Sequence, residues 1–252
     1  MADKLVLFAQ KGHAGYITLN RPEAGNGLNL EMIQDLAEIC TQINGDEGIY
    51  LTVITGAGDV FCAGDHNPLQ RADEGPGSVS AAEAVAGLDC PTVAAINGDA
   101  IGPGLELALA CDLRIAANKA KFGLPQISSG KIPQDGGTQR LSRLVGRGKA
   151  LELVLTGEII DAQTAFEIGL VNKIVPGDKL DIEIQTIAQT LASKAPLAMS
   201  YAKEAVNKGL DVTLEQGLRL EADLYFLLHT TADRTEGITA FLQKRKPDYE
   251  GK

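Results

Sequence analysis

One carboxylate in this 252-residue chain, Glu106, stands where it could move a proton. An apolar run over Thr92–Ile96 suits a buried strand, and Asn97, Gly98, Gly102 and Gly104 then force the backbone to turn. Strong helix formers without glycine or proline resume over Leu105–Cys111. Strand, tight turn and helix together leave backbone N–H groups at a helix N-terminus, where they can take negative charge. Glu106 falls in the first turn of that helix, so a possible base lies next to a possible oxyanion hole. Two structural readings compete with this one. A glutamate in a first turn commonly complements the helix dipole. Gly102-Pro103-Gly104 is also a G-x-G after a strand, but it lacks the third glycine of a dinucleotide loop, and Glu106 would face the pyrophosphate.

The elements around this stretch follow from periodicity and turn chemistry. Leu5–Phe8 and Tyr16–Leu19 read as a hairpin across the Gly12–Gly15 turn, followed by the polar loop NRPEAGNGLN. Met32, Leu36, Ile39, Cys40 and Ile43 share one helical face. Tyr50–Thr55 is a buried strand, and Val60–Gly64 is a second strand-to-turn transition, leading into Asp65-His66-Asn67-Pro68. Residues 71–80 read as a polar surface loop. Leu113–Ala117 and Lys121–Gly123 are further strands. From Gly136 two helices break at Gly146, and Asp161 caps another over Ala162–Ile168. After a strand at Val171–Val175 the remainder is helical, interrupted at Pro196 and Gly209. The expected organisation is α/β: a half over residues 1–175, then a helical region over 176–252 too short for a core of its own. That region should pack on its own α/β half or on a neighbouring subunit.

Composition narrows the function classes. With 44% hydrophobic and 22% charged residues the chain is ordinary globular material. A net charge of −10 argues against broad nucleic-acid binding and against an anionic membrane surface. Cys40, Cys62, Cys90 and Cys111 form no C-x-x-C and have no histidine at metal-ligand spacing, so they read as core residues of a reducing compartment. Asp3 and Lys4 with no long apolar run after them predict neither a signal peptide nor a membrane span, so a cytoplasmic location is expected. No metal and no separate cofactor is expected.

Six segments in order, NRPEAGNGLN, FCAG, INGDAIGPGLELALACDLRIA, FGLPQISSGKIPQDGGTQRL, LTGEIIDAQTAFEIGLV and EGITAFLQKRKP, resemble the crotonase (enoyl-CoA hydratase/isomerase) superfamily from end to end. The resemblance implies a spiral of ββα units with a C-terminal helical region, assembled as trimers or dimers of trimers. It implies an acyl thioester of coenzyme A as the substrate and Glu106 as a catalytic acid–base group. Two backbone N–H groups would hold the thioester oxygen, one from Asp65, after Gly64, and the other from the position of Pro103. Adenine would lie along Ala63, Gly64, Asp65 and His66, and phosphates would meet the Arg21 loop and the C-terminal tail.

The departures from the family pattern are informative. Pro103 has no N–H to give, so either Gly104 supplies the donor or the hole loses one. The second glutamate of the hydratases is replaced by Gln126, which can hold a water but cannot exchange a proton. Asp135, in the turn Pro133-Gln134-Asp135-Gly136-Gly137, is expected either to complete proton transfer or to cap the helix after it. His66 shares the first of these expectations, with a local backbone role as its alternative. The reading favoured is hydration or dehydration of an unsaturated acyl-CoA, with the altered pair pointing to a cyclic or conjugated acyl group. Alternatives within the family are a double-bond isomerase, a decarboxylase or a thioester hydrolase. A different class is a catalytically silent acyl-CoA binder.

Overall fold

The computed structural model describes residues 4–63 and 80–252. The hairpin is β1 (Val6–Lys11) and β2 (Ala14–Leu19), paired antiparallel with Val6 opposite Leu19. Helix α1 (Leu30–Asn44) starts where the Asn29 side chain accepts the Met32 N–H at 2.9 Å, and it buries Met32, Ile33, Leu36, Cys40 and Ile43. Strand β3 (Leu51–Gly56), helix α2 (Ala81–Ala86) and strand β4 (Thr92–Ile96) follow. Next come β5 (Ala100–Ile101), α3 (Pro103–Ala110), β6 (Leu113–Ala117) and β7 (Lys121–Gly123). The two helices expected around Gly146 are α4 (Gly137–Val145) and α5 (Arg147–Thr156). Strand β8 (Ile160–Asp161) leads into α6 (Ala162–Glu167), whose N-cap Asp161 accepts the Thr164 N–H at 2.8 Å. After β9 (Lys173–Val175) the chain is helical: α7 (Leu180–Ala192), α8 (Pro196–Gly209), α9 (Leu214–Leu228) and α10 (Ala232–Gln243).

A six-stranded sheet in the order β1-β2-β3-β4-β6-β9 is parallel throughout except for the hairpin, and β5-β7-β8 form a second, smaller sheet. The alternation along β4 explains the layering. Ala94 and Ile96 point into the main core with α1 and α3, whereas Val93 and Ala95 meet Leu180, Ile184 and Ala188 of α7 on the opposite face. The helical region thus joins the α/β half from its first helix, which covers a sheet face. Val60–Ala63, the described part of the expected strand-to-turn transition, forms no extended strand. Among the described residues there is a single bridge, Cys62 to Ala100, because β5 offers only two residues to pair with.

The later helices are fastened to the core by polar contacts. Lys203 of α8, largely buried, reaches Asp112 at 2.9 Å and the Cys90 carbonyl at 2.9 Å. Asp112 in turn accepts the Thr92 N–H at 2.7 Å and its hydroxyl at 2.9 Å. The chain end folds back: buried Asp233 accepts the N–H groups of Glu250 and Gly251 at 2.8 and 3.0 Å, and the Tyr50 hydroxyl donates to the Tyr249 carbonyl at 3.2 Å. No helix among the described residues is long and apolar enough to cross a membrane.

Candidate active site

The site is assembled where β4 runs out. Asn97 ties this end to the end of β3, donating to the carbonyls of Gly56 at 2.9 Å and Gly58 at 2.8 Å. The Cys62 carbonyl accepts the Ile101 N–H at 3.0 Å, which brings Cys62 and Ala63 against the start of α3. That crossing demands glycine at position 104, since a Cβ there would come within 2.0 Å of the Cys62 carbonyl oxygen. Gly64, Asp65 and His66, expected beside Ala63 at this place, lie outside the described residues.

Helix α3 begins with Pro103 at its first position. Proline there is favourable for the helix, but it removes the N–H that the family pattern would use. Pro103 thus stands at the position where the family pattern has a donor, as the sequence indicates, and supplies none. The Gly104 N–H comes next, and at a helix's second position it has no carbonyl one turn earlier to receive it.

Glu106 is 2% exposed and sits inside a ring of donors. Its Oε1 accepts the N–H of Asp135 at 2.7 Å and of Gly137 at 2.9 Å, and its Oε2 accepts Gln126 Nε2 at 3.1 Å. The main-chain N–H groups of Asp135 and Gly137, one on each side of Gly136 (φ +92°), form a concavity that the side chain of Glu106 fills. Three donors converging on one carboxylate match the acceptor-only chemistry of its ionised form. Gln126 is delivered by the short turn Pro125–Ser129 that follows β7. Its Nε2 also lies 3.8 Å from where a Cβ on Gly102 would be, so it stands beside the turn that opens α3. Its Oε1 is buried and has no hydrogen-bond partner among the described residues.

Asp135 is buried, and its two functional parts face different ways. The main-chain N–H holds Glu106, while the carboxylate turns to the start of α2, accepting the Ser80 hydroxyl at Oδ1 and the Ala82 N–H at Oδ2 (3.1 Å). The expectation that this side chain caps the helix after it does not hold. The N-cap position of α4 is Gly136, without side-chain help, and the carboxylate of Asp135 is taken up by a different helix. The contact that does reach Glu106 is made by the backbone, which carries no residue signature in a sequence. Gly137 is missed for the same reason. Its signal is steric: a Cβ would meet Glu106 Oε1 at 2.9 Å and Pro133 Cβ at 2.7 Å.

Burial pushes the thiols of Cys40 and Cys111 up to about 12, which suits inert core residues. No group of three or more His, Cys, Asp or Glu side chains among the described residues is placed to hold a metal ion. Arg21 donates to the Gly27 carbonyl at 2.9 Å within its own loop.

Comparison with known proteins identifies the family. The family model for enoyl-CoA hydratase/isomerase matches residues 10–252. The chain is 38% identical to a crotonyl-CoA hydratase of Syntrophomonas wolfei, over 100% of both chains. It is 43% identical to a 2,3-dehydroadipyl-CoA hydratase of Escherichia coli, over 94% of both. Among solved structures, an enoyl-CoA hydratase from Bacillus anthracis superposes with a TM-score of 0.93 at 41% identity, covering 98% of this chain and 100% of that one.

Proposed function

The chain belongs to the enoyl-CoA hydratase/isomerase family, and from that premise we propose that it adds water across the double bond of a 2-enoyl thioester of coenzyme A. The observation that carries this reading is the carboxylate of Glu106, buried, held by three donors and set one turn from a helix end with N–H groups to offer. Conjugation to the thioester makes C3 of such a substrate electrophilic. Glu106 takes one proton from a water molecule as the water oxygen bonds to C3. The double-bond electrons move to the thioester oxygen, where the Gly104 N–H and the Asp65 segment hold the enolate. Glu106 then returns its proton to C2, so one carboxylate both takes and gives the proton and exactly one water is added. Gln126 orients the water, and Asp135 positions Glu106 through its main chain rather than exchanging protons itself.

Several finer features belong to the same proposal. The names of the relatives favour a straight-chain enoyl group, and a cyclic conjugated one is the second arm of the test. The four cysteines stand as free thiols, which supports a reducing, cytoplasmic compartment. Apolar side chains left exposed on α8, α9 and α10 support assembly as a homotrimer or a dimer of trimers. The deciding assay follows loss of the enoyl absorbance of but-2-enoyl-CoA and of a cyclic dienoyl-CoA. Hydration of either supports the reading. Tight binding of both with no turnover would make the chain a silent binder.

A further inference from the structure

Asp135 is held at three points. Its N–H grips Glu106 and its carboxylate meets the start of α2, while its carbonyl accepts Nη1 of Arg140 at 2.9 Å. That third contact falls in the middle of the turn that holds the base. The two N–H groups on Glu106 come from residues 135 and 137, and Arg140 bonds the carbonyl of the peptide between them. Whether those N–H groups converge depends on the dihedrals of Asp135 and Gly136. Gly136, at φ +92°, has the freest backbone of the turn. The guanidinium lies against it: a Cβ on Gly136 would come within 2.1 Å of Nη1 and 2.9 Å of Cζ. Arg140 is poorly placed for the sake of its own helix. It lies one turn into α4, its N–H donating to the Gly136 carbonyl at 2.8 Å, and a cation near a helix N-terminus opposes the macrodipole. Among the described residues it forms no ion pair. A local rule broken in this way points to work done at the site.

We propose that Arg140 is a positioning residue for the reaction: by clamping the Asp135 carbonyl it keeps the N–H groups of Asp135 and Gly137 converged on Glu106. This rests on the hydratase reading and adds to it a residue that acts through the main chain rather than on the substrate. Without the clamp Glu106 stays buried but loses its fixed line to the reacting water, so the chemical step slows while the thioester still binds.

The test compares the full-length wild type with Arg140→Met, Arg140→Gln and Arg140→Lys. Hydration of but-2-enoyl-CoA gives kcat and KM, and calorimetric titration of butanoyl-CoA counts the folded sites to which each rate is normalised. Methionine has an apolar stem and no donor. It should lower kcat about tenfold or more, with KM and butanoyl-CoA affinity within about twofold of wild type. Glutamine, too short to reach the carbonyl, should behave the same way and decides the matter if the methionine chain does not fold. Lysine keeps a cationic donor and should recover most of the lost kcat, which a merely space-filling role would not require. Amide exchange at residues 135–137 reads the clamp without turnover, and should quicken in Arg140→Met but not in Arg140→Lys. Normalised turnover near wild type in the methionine and glutamine variants overturns the proposal. So does a loss carried by KM, a lysine variant no better than methionine, or unchanged exchange. A wild type that hydrates, with variants that match it, sinks this proposal alone. A wild type that hydrates neither but-2-enoyl-CoA nor a cyclic dienoyl-CoA removes the hydratase reading, and the exchange result then decides the clamp by itself.

Discussion

The main-chain N–H groups of Asp135 and Gly137 and the Gln126 carboxamide hold the Glu106 carboxylate. In the proposed reaction Glu106 exchanges its proton with water and with C2 of the thioester, so the catalytic load rests on one side chain. Glu106→Gln should lower turnover roughly 100- to 10,000-fold, with coenzyme A affinity and folding nearly unchanged. Steady-state kinetics on the preferred thioester measure this, and a loss of only a few-fold would take Glu106 out of the mechanism. A second test moves the carboxylate without changing it. In Gly137→Ala the new Cβ would stand 2.9 Å from Oε1 and 3.0 Å from Cγ of Glu106. Displacing a general base by such an amount should cost about tenfold or more in turnover, with little change in binding of a saturated acyl-CoA. Wild-type turnover in that variant would show that the turn relaxes without moving Glu106. At this scale the sequence names side chains well. Glu106 is picked out by its type and its place at a helix start, Gln126 by the family resemblance, and the structure brings them into contact. What it hides is the work of main-chain groups at positions 135 and 137.

Helix α2 receives at its N-terminus a carboxylate from a turn more than fifty residues away. The carboxylate of Asp135 satisfies an N–H at the start of α2 and complements its dipole, while the N–H of the same residue grips Glu106. One residue thereby couples the placement of an element to the placement of the base. Asp135→Ala should lower stability by about 1–2 kcal/mol in urea unfolding, since a buried helix start loses its acceptor. Asp135→Asn keeps one oxygen acceptor and should lose less stability and less turnover than the alanine variant. Because the carboxylate acts as an anchor, the pH–rate profile of Asp135→Asn should keep the wild-type shape. Loss of one limb of that profile would make Asp135 a proton donor after all. The elements themselves are largely readable beforehand, for local reasons. Gly146 breaks α4 from α5, Asp161 caps α6, and Pro196 opens α8 while Gly209 closes it. A cap supplied across the fold has no such local signature, and so Asp135 reads as the cap of its own helix. Val60–Gly64 reads as a strand because its residues suit one. Pairing is decided by the partner, and the partner is two residues long.

Across the whole molecule, the last three helices bury little apolar surface of their own. Leu214, Phe226 and Phe241 are 80%, 71% and 82% exposed. Exposed apolar groups of this size in adjoining helices support the proposed assembly with other copies of the chain. Sedimentation should therefore show an assembly at micromolar concentration, and Phe226→Glu with Phe241→Glu should shift it to monomer. A stable wild-type monomer would count against the proposed trimer. The same region is held to its own core by the chain end, and that hold depends on pH. Arg245 beside Glu236, aided by the Asp248 N–H, keeps the Glu236 carboxyl at about 2, below its ordinary 4.5. A carboxyl whose value is lowered by folding contributes stability that is complete above its ordinary value and is lost as pH falls through the lowered one. The window is therefore pH 4.5 down to about 2. Over it the 245–252 tail should release from α10, freeing the contact of Tyr249 with Tyr50 at the entrance to β3. Amide hydrogen exchange, corrected for the intrinsic rate at each pH, should show protection at Asp248 falling across this window in the wild type. In Glu236→Gln that protection should already be reduced at neutral pH and should show no step on acidification. Flat protection in the wild type between pH 4.5 and 2 would mean that Asp233 and Tyr50 hold the tail without help from Glu236.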